Sequence, residues 1–88
     1  MIDYERAKKN GPKIQSALTR AKNVSDPIKR KDAVIAACRK AVQEWNAWGA
    51  WPDGWALWQC ALTDALRAAE RAGDNRMNVG VNQLEDLS

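Results

Sequence analysis

Three apolar stripes at helical spacing, separated by breaks rich in proline and glycine, constrain this 88-residue chain more than any other feature. Ile14, Ala17, Leu18 and Ala21 follow the i, i+3, i+4, i+7 pattern of one helix face. Val34, Ile35, Cys38, Ala41, Val42, Trp45 and Trp48 form a second, wider stripe. Trp58, Ala61, Leu62, Ala65, Leu66, Ala69 and Ala72 form a third, widened by Leu57, Cys60 and Ala68. No stretch alternates as a strand would. The fold class this predicts is all-α: an antiparallel three-helix bundle built on a long helical hairpin, with a mobile C-terminal tail.

The punctuation sets the boundaries. Asp3 is a usable N-cap for a short helix over 2–10, and Asn10-Gly11-Pro12 reads as its stop, because proline cannot continue a helix. A new helix then begins with Pro12 at its first position and runs to about 23. Ser25 or Asp26 caps the next, with Pro27 at N1, and it extends to Trp48 or Gly49. Gly49-Ala50-Trp51-Pro52-Asp53-Gly54 is a turn in which Asp53 is placed to cap a last helix over about 54–72. Gly73 is the expected residue just past its end. The organisation predicted is therefore an N-terminal arm over 1–11, a helical bundle over 12–73 and a flexible tail over 74–88. In the tail, Met77, Val79, Val81, Leu84 and Leu87 are its apolar anchors.

Composition excludes more than it assigns. The chain has no His, the commonest metal ligand and general base near neutral pH. Cys38 and Cys60 do not form a C-x-x-C pair and cannot complete a four-ligand zinc site. In a hairpin turning near residue 52 they are offset by roughly 9 Å along the axis at 1.5 Å per residue, too far for a disulfide. Both are read as small buried hydrophobes. Gly-rich phosphate loops and paired carboxylates are missing, so no enzyme and no cofactor is predicted. No apolar run reaches the ~20 residues of a membrane span, and the N-terminus lacks a secretory h-region. The expectation is a cytoplasmic protein with no membrane association.

Two clusters are candidate binding surfaces. Trp45, Trp48, Trp51, Trp55 and Trp58 gather at one end of the hairpin. Some of these rings close the bundle. Others, by the same spacing, form a protein contact centred on Trp51 and Trp55, supported by Trp48 and Trp58. Trp45 and Trp58, on the main stripes, are expected to be more buried than Trp51 and Trp55. The second cluster is basic. Residues 1–40 carry 11 basic and 4 acidic groups, and residues 41–88 carry 3 and 7. Lys22, Lys29, Arg30 and Lys31 are candidate nucleic-acid contacts, the last three at the start of a helix. Against that reading, basic and aromatic residues separate along the chain instead of interleaving.

The segment W-x-x-W-x-x-W-P-D-G-W-x-x-W-Q-x-A-L-x-D-A-L, residues 45–66, resembles small Trp/Ala-rich helical proteins of actinobacteria and their phages. The match rests on Trp48, Trp51, Pro52, Asp53, Trp55, Trp58 and Leu62. This resemblance implies a small accessory protein, phage-borne, that acts by binding a host or phage protein. The basic first third lies outside it. The favoured expectation is a non-enzymatic protein-interaction module, compatible with a homo-oligomer. The alternative is a nucleic-acid-binding or regulatory protein that uses its basic first half.

Overall fold

The computed structural model describes residues 1–74 and 83–87. It contains α1 (Tyr4–Lys22), α2 (Pro27–Trp48), α3 (Trp55–Arg71) and a 3-10 turn over Glu85–Leu87. No strand occurs among the described residues. Successive helices run antiparallel, with α2 in the centre. The outer two pack along α2 and share little or no contact with each other. The bundle is therefore open on one side.

α1 differs from the sequence expectation. One helix runs through Asn10-Gly11-Pro12, where the sequence reads as a stop between an arm and the bundle. Tertiary contacts override the local break. Arg6 and Asn10 both reach Glu44 of α2, with Arg6 Nη2 at 2.7 Å and Asn10 Nδ2 at 2.6 Å. Ala7 packs on the same core cluster that Ile14 and Leu18 join further along the helix. Gly11 lies against the Trp48 ring. Having no Cβ, it relieves the usual clash between a proline ring and the residue before it. The arm at 1–11 is thus the first half of a bundle helix. Asp3 caps it as expected, accepting from the Arg6 N–H at 3.0 Å.

α2 starts and stops where the spacing predicts. Asp26 accepts from the Ile28 N–H at 2.9 Å, and Pro27 occupies the first turn. Gly49 ends the helix in the left-handed region at φ 88°. A side chain there would be strained, and its Cβ would also lie 3.2 Å from the Met1 carbonyl oxygen. That close approach, with the Asp3 N–H bonded to the Trp48 carbonyl at 2.8 Å, ties the start of α1 to the end of α2.

α3 has the predicted span and a different cap. Gly54, not Asp53, holds the N-cap position, and no side chain caps it. Gly73 follows the helix at φ 93°, in the role expected of it. Beyond it, Leu84 and Leu87 are buried in the core cluster. The Leu84 N–H donates to Gln59 Oε1 of α3 at 3.2 Å. The anchors expected at Met77, Val79 and Val81 lie outside the described residues.

The core is the common face of the three helices. Val34, Cys38, Ala41, Val42, Trp45 and Leu62 are almost entirely removed from water. Burying side chains of the Val, Leu or Ile kind stabilises a fold by about 1.5–3 kcal/mol each.

Candidate functional site

Most of the tryptophans are core. Trp45 is 1% exposed and touches two other rings, Trp58 edge-on at 5.4 Å and Trp51 tilted at 5.3 Å. Trp51 in turn meets Trp55 edge-on at 5.9 Å. The rings form a ladder from Trp58 through Trp45 and Trp51 to Trp55, and exposure rises from Trp45 through Trp51 to Trp55. Trp58 is buried, Trp51 is half-buried with its Nε1 donating to Asn46 Oδ1 at 3.0 Å, and Trp55 is 42% exposed. The gradient is the one the stripes predict. Trp48 turns away from the ladder, toward α1. It is buried beside Gly11, and among the described residues its Nε1 makes no close hydrogen bond, though it lies near enough to the Glu44 carboxyl to help hold it charged. Of the four rings proposed to meet a partner, Trp48 is therefore closed off inside the α1–α2 contact, and Trp55 is the one that faces solvent.

The basic candidates do not form one surface. Lys31 is buried, bonded to Asp74 with Asp32 also near, and so cannot contact a nucleic acid. The reason is position: it lies on the α2 face that packs toward α3. Arg30 folds back on the α1–α2 connection, its Nε donating to the Val24 carbonyl at 2.7 Å and its Nη2 to that of Ser25 at 3.0 Å. Lys22 and Lys29 are exposed. Arg20 and Lys40 flank a shallow hollow on the other side of the α1–α2 pair, floored by alanines.

Because α1 and α3 stand apart on α2, a cleft of about 540 Å³ opens between them. Its floor contains Leu18, Val34, Trp58 and Ala65, and all four are core residues. Gln15 and Lys22 project from α1. Leu57, Cys60, Ala61 and Asp64 form the α3 wall, with Pro52 and Gly54 also lining the cleft and Arg30 contributed by α2. Leu57 is 73% exposed, an unusual position for a leucine that borders an apolar floor. The volume falls within the roughly 300–1,000 Å³ of ordinary binding sites.

Sequence spacing groups Leu57 and Cys60 with the third stripe and does not separate the core face from the cleft face. The signal was in the width of that stripe. Trp58, Leu62, Ala65 and Ala69 alone satisfy one buried face, so Leu57 and Cys60 extend it too far round to be covered by α2. Cys60 is exposed, contrary to the reading of both cysteines as buried; Cys38 is buried, and both thiols are free. Burial pushes the Cys38 thiol up to about 12. Among the described residues no group of His, Cys, Asp and Glu is arranged to hold a metal ion, and no helix is long and apolar enough to cross a membrane.

No protein-family model, curated protein or solved structure matches the chain.

Proposed function

We propose that this chain is a non-enzymatic interaction module that receives a segment of another protein in the α1–α3 cleft, with Leu57 at its margin. The observation that carries this reading is an open cleft bordered by a leucine left 73% exposed. An exposed large hydrophobe is ordinary when single. Beside a concave surface it is a place where a partner removes apolar area from water. The contact thus moves from the tip of the hairpin, where most rings are core, to the side of α3. With no His in the chain, Cys60 lacks an imidazole to activate it as a nucleophile, which favours binding over catalysis. Two free thiols suit a reducing, cytoplasmic setting. The resemblance of residues 45–66 to small phage and actinobacterial proteins favours an accessory role of this kind.

Cys60 provides the test, since it is the exposed thiol and lines the cleft. A benzophenone attached to it and irradiated in lysate of the source organism should join the chain to a discrete protein. That protein, purified, should bind the wild type and lose at least tenfold in affinity for Leu57→Asp. Equal binding of both forms would reject the cleft as the docking surface.

A further inference from the structure

Resting on that reading, we infer that the occupant of the cleft is an acidic amphipathic helix of a partner protein. It lies antiparallel to α1 and α3, with its acidic first turn against Lys22 and Arg30.

The shape comes from the bundle. α1 and α3 run parallel to each other, and both are antiparallel to α2. Two parallel helices seated on a third leave the position that a fourth helix takes in a four-helix bundle. The walls have helical periodicity. Gln15, Leu18 and Lys22 follow i, i+3, i+7 on α1, while Leu57, Ala61 and Asp64 follow i, i+4, i+7 on α3. Such ridges interdigitate with those of another helix at interaxial distances of about 8–10 Å. Ala61 and Ala65 keep the α3 side low enough for close approach.

The charge comes from unmatched cations. Lys22 has no ion pair among the described residues. Arg30 donates to two backbone carbonyls, which fix its position and leave its charge without a carboxylate. Both line the cleft, at the end where α1 finishes and α2 begins. Asp64 is the one acidic residue lining the cleft among the described residues, and it stands on the opposite wall.

Direction is set at the other end of the cleft, where the amide end of α3 favours the carbonyl end of the occupant. A helix antiparallel to α1 and α3 begins at the Lys22 and Arg30 end. Its N-terminus carries partial positive charge, so cations beside it repel unless its first turn is acidic. Acidic residues there satisfy both its own dipole and the two cations. Its C-terminal carbonyls then approach the start of α3, where Gly54 supplies no capping side chain and the amide end of the helix dipole favours negative charge.

Two synthetic 16-residue peptides test this. They share one Leu/Ala stripe and differ only in having Glu or Lys through the first turn. Binding is read by fluorescence anisotropy at physiological salt. The Glu peptide should bind the wild type at least tenfold tighter than the Lys peptide. Lys22→Glu should erase that preference, and the exposed control Arg39→Glu should leave it. Leu57→Asp, at an exposed position safe for folding, and Ala61→Trp, which fills the cleft, should each abolish binding. Equal affinity for the two peptides, or preference for Lys, overturns the acidic partner while leaving docking at the cleft intact. No binding of either peptide, or binding indifferent to Leu57→Asp, overturns the helix as occupant; the Cys60 cross-link judges the docking reading separately. Self-association in sedimentation that Leu57→Asp removes would make a second copy the occupant, and overturns the proposal.

Discussion

Lys31 in the second turn of α2 and Asp74 just beyond α3 form an ion pair from which water is almost wholly excluded: their side chains are 2% and 1% exposed. The bond joins residues 43 positions apart and fastens the end of α3 to the start of α2. Desolvating two charges offsets most of their attraction, so the pair adds little net stability over an apolar one. Removing one partner is different, since it leaves a charge in the core with less to balance it; Lys31 then keeps the more distant Asp32, at 3.8 Å. Lys31→Ala and Asp74→Ala should each lose about 3–5 kcal/mol. In a domain of this size that is a fall in Tm of more than about 10 °C. Lys31→Met with Asp74→Leu should recover most of the loss. Thermal melts of the three variants check this, and a double variant no better than the singles would show that the charges themselves hold the helix end.

The two cysteines should be distinguishable by reaction rate. Cys38 is buried and its thiol is pushed up to about 12 by loss of hydration, so almost no thiolate forms at neutral pH. Cys60 is exposed. A disulfide reagent at pH 8 should modify one thiol per chain quickly and the second only on unfolding. Cys60→Ser should remove the fast phase completely. A fast phase of two thiols would mean that the core opens around Cys38.

Glu44 links α1 to α2 and should give the fold a pH dependence. The Arg6 guanidinium, then the Asn10 amide, hold its carboxyl below its ordinary value of 4.5. A carboxylate whose folded pKa is depressed contributes stability that is present above its unfolded pKa and lost as pH falls through the folded one. Glu44→Gln should therefore lower Tm at pH 7 and have a diminishing effect as the solution is acidified below 4.5. The pair lies at the surface, with side chains 47% and 16% exposed, so the change should be modest and should shrink in high salt. Melts of both forms from pH 7 down to 3 should converge. A constant gap would mean that Glu44 acts through packing and not through charge.

The stripes made the helices legible because burial on one face has a period that local sequence records. The ends of α2 were legible for a related reason: Asp26, Pro27 and Gly49 each act within a turn of their own position. What local sequence does not record is which faces meet. Nothing near Asn10-Gly11-Pro12 shows that Glu44 and Trp48 will hold the chain helical there. Nothing near Lys31 shows that Asp74 will bury it. Asp53 looks like a cap by type and place, yet the turn sets Gly54 at that position. The cleft was the least legible feature, because it is a contact that α1 and α3 do not make. Only the excess width of the third stripe, at Leu57 and Cys60, pointed to it.

The proline inside α1 yields the last prediction. Pro12 has no N–H for the Lys8 carbonyl, and a proline in a helix interior costs about 3 kcal/mol in an unconstrained setting. Gly11 before it is also a poor helix former, by about 1 kcal/mol against Ala. The two are coupled. A Cβ at position 11 would clash with the ring of Pro12, so glycine is the residue that lets proline remain there. The Trp48 ring is no obstacle, since it would lie 4.0 Å from that Cβ, an ordinary contact. Gly11→Ala alone should therefore gain little or lose stability. Pro12→Ala alone should stabilise, by restoring a donor on the exposed side of the helix. On the Pro12→Ala background, Gly11→Ala should add about 1 kcal/mol more. A double-mutant cycle by denaturant unfolding should show this favourable coupling, of at least ~0.5 kcal/mol. Additive changes would mean that the ring does not constrain residue 11.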